Sequence, residues 1–250
     1  MSSLLRSPSQ IVNPLARQRM MGYGTGAGGG AFSPLSISSL TEWFDIGSLA
    51  AVGNGNPISS WAGIKGLMTL SAATTLRPTY AANDGDGMPA AVFDGVDDTI
   101  LSGLTNTANI FGSTGDCETW AVVRATAGNR GFFATHGAVG MDSYLFTAAV
   151  YIDSPTSANR INSATGINNG AWRVLRLAKT GARRVIQADG STLYDASTSA
   201  GTWTTGNAVF GIGDTSGVKL LGAVRHLLTF NNFLSEADAA AVKTYLEGFN

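Results

Sequence analysis

From residue 35 to the end, short apolar runs alternate with clusters of Gly, Ser, Thr, Asn and Asp: TWAVVRA at 119–125, GFFATH at 131–136, YLFTAAVYI at 144–152, WRVLRLA at 172–178, RRVIQA at 183–188 and NAVFGIG at 207–213. Runs this short, rich in β-branched and aromatic residues and bounded by turn formers, predict the strands of an antiparallel sandwich. In GAVRHLLTF, strict alternation puts Val224, His226, Leu228 and Phe230 on one face and Ala223, Arg225, Leu227 and Thr229 on the other. Both faces are partly apolar, which suits a strand inside a two-layer structure. Only the last stretch, LSEADAAAVKTYLEGFN, changes period. Ser235 is placed as an N-cap, Glu236 and Asp238 fall in the first turn, Gly248 marks the stop, and Val242, Tyr245, Leu246 and Phe249 recur at helical spacing. One short helix is predicted, its apolar face covering an end or edge of the sandwich.

Residues 1–34 follow neither pattern. An apolar and basic segment is followed by the glycine tract GYGTGAGGG at 22–30, a flexible joint. The division is therefore an N-terminal arm, 1–34, and a β domain, 35–250. A disordered tail is one reading of the arm. The other is an arm that docks on a neighbour, burying Leu4, Leu5, Ile11, Val12 and Leu15 while Arg6, Arg17 and Arg19 pair with acidic groups.

Composition narrows the function classes. The 250 residues include 32 glycines and only 13% charged side chains, which favours many short strands over long surface helices. A formal net charge of −1 provides no field to gather nucleic acid, and no apolar run approaches the roughly 20 residues that span a bilayer. Neither a nucleic-acid partner nor membrane insertion is expected, and no secretion signal is read. With Cys117 as the only cysteine, an intrachain disulfide is impossible, and assembly in a reducing cytoplasm fits.

A set of segments then carries a family resemblance. LTEWFDIGSL at 40–49, ISSWAG at 58–63 and LRPTYAANDGDGMPAAVFDGVDDTIL at 76–101, followed by Trp172, the Gln187–Gly190 turn, Phe210–Gly213 and the closing Gly222–Arg225 through Leu234–Glu236, resemble the concanavalin A-like lectin/glucanase superfamily in its laminin-G-like jelly-roll branch. The resemblance covers roughly 35–250 and implies two packed antiparallel sheets of about six or seven strands each. The fold hosts hydrolases, lectins, adhesion modules and virion parts, so it does not fix one function. A glycine-hinged basic arm ahead of such a module looks like the virion proteins of tailed bacteriophages. The expectation is thus a structural virion component, made in the host cytoplasm and present in several copies or as a homo-oligomer, whose arm binds other virion proteins. A carbohydrate-binding adhesin or lectin, facing a host-surface glycan, is the alternative, and a glucanase-like hydrolase a weaker one.

The candidate chemistry is sparse. Hydrolases of the superfamily carry Glu-x-Asp-x-x-Glu, and none of Glu42, Glu118, Glu236 and Glu247 stands in that context, so an enzyme is not expected. In AAVFDGVDDTIL at 90–101, Asp94, Asp97 and Asp98 are candidate calcium ligands, although the stretch reads mainly as a turn in which Asp94 and Asp97 bind backbone amides. No cofactor beyond such a calcium ion is expected. NDGDGM at 83–88 begins like an EF-hand but lacks its later ligands, and reads as turn dipeptides. His226 reads as a hydrogen-bonded core imidazole and His136 as a residue that could line a cleft. For sugar stacking, Trp203 in the polar loop TSAGTWTTGN is the best candidate ring, with Tyr194 or Tyr144 behind it, while Trp43, Trp61, Trp120 and Trp172 read as packing.

Overall fold

The computed structural model describes residues 32–102, 110, 116–126, 128, 130–136, 142–145, 149–153, 160–197, 209–215 and 218–250. The strands, in chain order, are β1 (Leu40–Asp45), β2 (Ser60–Ala62), β3 (Thr69–Ser71), β4 (Thr79–Ala81), β5 (Ala90–Asp94), β6 (Ile100–Ser102), β7 (Cys117–Ala125), β8 (Arg130–Gly131), β9 (Phe133–His136) and β10 (Asp142–Leu145). They continue as β11 (Val150–Asp153), β12 (Ile161–Asn162), β13 (Trp172–Thr180), β14 (Arg183–Ala188), β15 (Ser191–Ser197), β16 (Val209–Ile212), β17 (Asp214–Thr215), β18 (Val218–Lys219) and β19 (Leu221–Phe230), and the helix α1 (Glu236–Glu247) follows.

The longest apolar strand sits where most partners meet. β19 pairs along one edge with β7, and along the other with β5 through Leu221–Val224 and with β1 through His226–Phe230. The resulting eight-stranded sheet runs β15-β14-β13-β7-β19-β5-β4, with β1 beside β19. Against its inner face lie a five-stranded sheet, β2-β3-β6-β16-β9, and a four-stranded sheet, β12-β11-β10-β8. Phe44 of β1 stacks on Phe210 of β16 with centroids 6.4 Å apart and meets Trp61 of β2 edge-on at 5.9 Å, so rings from both layers interlock. Leu145, Val150 and Ile152 from the four-stranded sheet join the same core as Leu175, Leu177 and Ile186 from the eight-stranded one. The fold is an all-β antiparallel sandwich with one C-terminal helix, as the alternation predicts.

Alternation fails within β19 itself. Its register with β7 shifts between Val224 and His226, leaving Arg225 as a bulge. Val224 therefore pairs on the inner face with Val123, while His226, Leu228 and Phe230 pair with Val122, Trp120 and Glu118 on the outer face. Leu227 takes the inward position instead, in the core beside Val224. One extra residue has reversed the phase of the rest of the strand. Two other readings also change. YLFTAAVYI is not one strand but two antiparallel partners, β10 and β11, and GFFATH is split at Phe132 into β8 and β9.

The outward half of β19 is apolar because α1 covers it. Ser235 caps the helix, its hydroxyl accepting from the Asp238 amide, and Val242 and Leu246 are buried. Tyr245 packs edge-on against Trp43 of β1 at 5.7 Å, and Phe249 lies 4.1 Å from the His226 ring. The helix thus lies over the outer face of the eight-stranded sheet and not at an end or edge. Its leading loop is pinned by Glu118, which is fully buried. That carboxylate accepts Arg176 Nε and Nη2, each at 2.9 Å, the Trp120 indole N–H at 2.5 Å and the Leu234 amide at 3.1 Å. Glu42, also fully buried, accepts the amides of Trp43, Lys65 and Met68 at 2.8–2.9 Å. A Cβ on Gly63 would stand 2.1 Å from the Glu42 carboxyl carbon, so glycine is required there.

Candidate functional site

The two Asp-Gly clusters fold into different environments. FDGVDD connects the two layers: β5 belongs to the eight-stranded sheet and β6 to the five-stranded one. Asp94 Oδ1 accepts the amides of Val96 (2.8 Å) and Asp97 (3.3 Å), and Asp98 Oδ2 accepts the Asp94 amide at 2.8 Å. Asp98, not Asp97, is thus the second carboxylate that holds the turn. Ligand oxygens of Asp94, Asp97 and Asp98 lie within 4.8 Å of one another. Burial, with the neighbouring Asp94 and Asp97 charges adding to it, pushes the Asp98 carboxyl up to about 6. Oxygen donors of this kind suit a hard cation such as calcium. Val96, at the tip, is 74% exposed.

NDGDGM is instead closed by arginines. Asp86 takes Arg225 Nη2 on both oxygens, at 2.5 and 2.6 Å, and Asp84 pairs with Arg124 Nη2 at 2.8 Å. Trp172 lies between the two guanidiniums, 3.8 Å below that of Arg225 and 5.3 Å from that of Arg124. Arg225 also donates to the Phe249 carbonyl at 2.7 Å, tying this turn to the end of the chain. Burial alone would raise the Asp86 carboxyl, but the Arg225 hydrogen bond and charge and the Met88 amide hold it below its ordinary value. The bulge makes this contact possible by turning Arg225 toward the turn and the helix end.

His226 and Cys117 are both buried. His226 is fully buried, and its Nδ1 accepts the Trp43 indole N–H at 3.3 Å, leaving Nε2 to carry the proton of a neutral ring. Burial holds its pKa down at about 4 despite Asp45 Oδ1 at 3.7 Å from Nδ1. Burial likewise pushes the Cys117 thiol up to about 12, so it is not a nucleophile at neutral pH. His136 pairs through its backbone with Val209, and its side chain lies outside the described residues.

The two tyrosine candidates for sugar stacking stand in different sheets. Trp203 and the arm residues Leu4, Leu5, Arg6, Ile11, Val12, Leu15, Arg17 and Arg19 lie outside the described residues. Tyr194 is in β15, at the edge of the eight-stranded sheet, half-buried and packed on the core. Tyr144 is in β10 of the four-stranded sheet, where its direct register partner is Tyr151. A single strand would have put these two tyrosines, seven residues apart in sequence, at positions of opposite parity; the β10–β11 pairing makes them neighbours instead. Ile152 and Ile161 face the core, so Tyr151 and its partner Asn162 lie on the outer face of that sheet. Arg160 stands over the Tyr151 ring at 4.9 Å. On the five-stranded sheet, Ser60, Ala62, Thr69 and Ser71 are exposed on the corresponding face. A half-exposed ring flanked by an amide and a guanidinium was legible in the sequence only if β11 and β12 had been recognised as partners.

No protein-family model and no curated protein sequence matches this chain. Its fold does have solved counterparts. Trypanosoma rangeli sialidase in complex with sialic acid superposes with a TM-score of 0.62 at 11% identity, over 86% of this chain and 34% of the sialidase. The same sialidase with 2,3-difluorosialic acid as a covalent intermediate gives 0.60 at 11% identity, over 90% and 36%. Domain 4 of a GH43 extracellular arabinanase from Geobacillus stearothermophilus, in complex with arabinotriose, gives 0.57 at 15% identity, over 82% of this chain and 98% of that domain. The chain spans about a third of the sialidases it matches and nearly all of the arabinanase domain. These neighbours agree with a β-sandwich fold; a bacteriophage context has no counterpart among them. The expectation that the chain is not an enzyme is corrected here, because the fold is shared with sialidases and with part of an arabinanase. The missing Glu-x-Asp-x-x-Glu argued only against one carboxylate-pair lineage, and glycoside hydrolysis also proceeds without such a pair.

Proposed function

We propose that this sandwich is a carbohydrate-binding domain whose ligand lies on the outer face of the four-stranded sheet. The observation that carries the reading is the match over nearly the full length of an arabinanase domain holding arabinotriose. The chemistry of the face supports it. The Tyr151 ring offers an apolar surface to a sugar face, and Asn162 and Arg160 offer an amide and a guanidinium to its hydroxyls. A ring held by its strand partners loses little rotamer freedom on binding, which keeps the entropic cost of stacking low. On the opposite outer face, Tyr245 of α1 and Phe249 just beyond it pack over Trp43 and His226.

Calorimetric titration of the full chain with arabinotriose, followed by a glycan array, tests this. Saturable binding that falls at least tenfold in Tyr151→Ala, with unchanged melting temperature, is the expected outcome. Absence of any bound glycan, or equal binding by the variant, would remove the assignment.

A further inference from the structure

The His226 imidazole is enclosed by rings from both sides of the contact between α1 and the sheet. Its backbone stands inside the eight-stranded sheet, opposite Asp45 of β1 and Val122 of β7. The rings of Trp43 and Tyr245 lie 6.3 and 6.4 Å away, and that of Phe249, just past the helix, 4.1 Å. Nδ1 accepts the Trp43 indole N–H, while Nε2 is buried with no hydrogen-bond partner. A proton added at Nδ1 turns that acceptor into a donor, breaks the indole bond and leaves a cation among aromatic rings. The charged and titratable groups that face the imidazole are Asp45 from β1, Arg225 from β19 and Tyr245 from α1. Asp45 Oδ1 is 3.7 Å from Nδ1 but already accepts the Gly47 amide at 2.9 Å, and Arg225 adds like charge.

The two sides of this contact are anchored differently. β19 is bonded to β1 and β7 through its ladder, and the start of α1 is pinned by the Leu234 amide on buried Glu118 and by the Ser235 cap. The far end of α1 meets the sheet through Tyr245, Phe249 and the Phe249 carbonyl, which accepts Arg225 Nη1 at 2.7 Å. That end can lift without breaking a strand ladder. We propose that the end of α1 is an acid-released latch: protonation of His226 frees it from the outer face of the sheet while the start of the helix stays pinned to Glu118. Burial, which Asp45 partly offsets and Arg225 reinforces, holds the closed-state pKa at about 4, against 6.5 for a solvated imidazole. Opening therefore takes up a proton across that interval, and the open population rises about tenfold per pH unit. The Asp86 pKa is lowered, so its clamp on Arg225 stays intact over the same range. The latch does not depend on glycan binding at Tyr151.

Two indoles give the test an internal contrast: the Trp43 N–H bonds to His226 under the latch, and the Trp120 N–H bonds to Glu118 near the pinned start. Hydrogen exchange of the full chain is followed by NMR between about pH 6.5 and 4.5, each rate corrected for its intrinsic pH dependence. Protection of the Trp43 indole and of the Leu246 amide is expected to fall about tenfold per pH unit, with Trp120 staying within about threefold. His226→Gln, neutral throughout, is expected to abolish the fall. If that variant does not fold, the wild-type imidazole carbon resonance decides: protonation only near pH 4 supports the coupling, and titration near 6.5 overturns it. Flat protection at Trp43, a fall there without Leu246, an equal fall at Trp120, or an undiminished fall in His226→Gln also overturns the latch.

Discussion

Two turns of this chain, NDGDG at 83–87 and FDGVDD at 93–98, are nearly interchangeable as sequence and opposite as structure. In the first, Asp84 and Asp86 meet Arg124 and Arg225 across the Trp172 ring. In the second, carboxylates meet backbone amides and each other, and burial raises the Asp98 pKa to about 6. The lesson is that an Asp-Gly cluster reports a turn, and the element packed on it decides whether its charges are neutralised. A bulge in β19 supplies Arg225 to one turn and nothing equivalent to the other.

The comparison breaks most visibly at Arg225. Arg225→Met removes a fully buried cation and its bonds to Asp86 and the Phe249 carbonyl, and should cost about 2–4 kcal/mol in urea unfolding. A loss under about 1 kcal/mol would show that the clamp contributes little.

Acid titration separates the turns next. The Asp98 pKa is raised above its unfolded value, so its contribution is full below about 3.8 and is lost as pH rises through about 6. The His226 pKa is depressed to about 4, so its contribution is full above about 6.5 and is lost as pH falls through about 4. Each amounts to about 3 kcal/mol, and the two oppose each other across nearly the same window. Asp98→Asn should therefore expose a stability that falls with acidification from pH 6.5 to 4, steeper than in the wild type. A curve as flat as the wild type's would refute the raised carboxyl.

Backbone substitutions give a smaller contrast. Gly85 and Gly95 both have positive φ, but a Cβ at Gly85 meets open space whereas one at Gly95 lies 2.7 Å from the Leu221 Cβ. Gly85→Ala should cost about 1 kcal/mol and Gly95→Ala about 2–3 kcal/mol, measured by chemical denaturation. Equal costs would mean that β19 yields at Leu221. Smallest is Val96→Ser, at an exposed tip, expected within about 0.5 kcal/mol of wild type. A larger loss would reveal that this side chain has a contact in solution.

Much of the architecture was legible. The Ser235 cap, the RRVIQA strand and the Phe93-to-Ile100 turn stand where alternation and turn chemistry place them. The candidate surface was not: Tyr151 and Asn162 gain meaning only as cross-strand partners, and a run read as one strand hides such a pairing.

By itself the sequence determined the strand-rich class, the single capped helix and the turn positions, because these follow from periodicity and local backbone preference. Only the tertiary structure decided which face each half of β19 shows and which aspartates are neutralised. Those outcomes depend on partners tens to more than a hundred residues away, as with Asp86 and Arg225, and no local pattern encodes such a meeting.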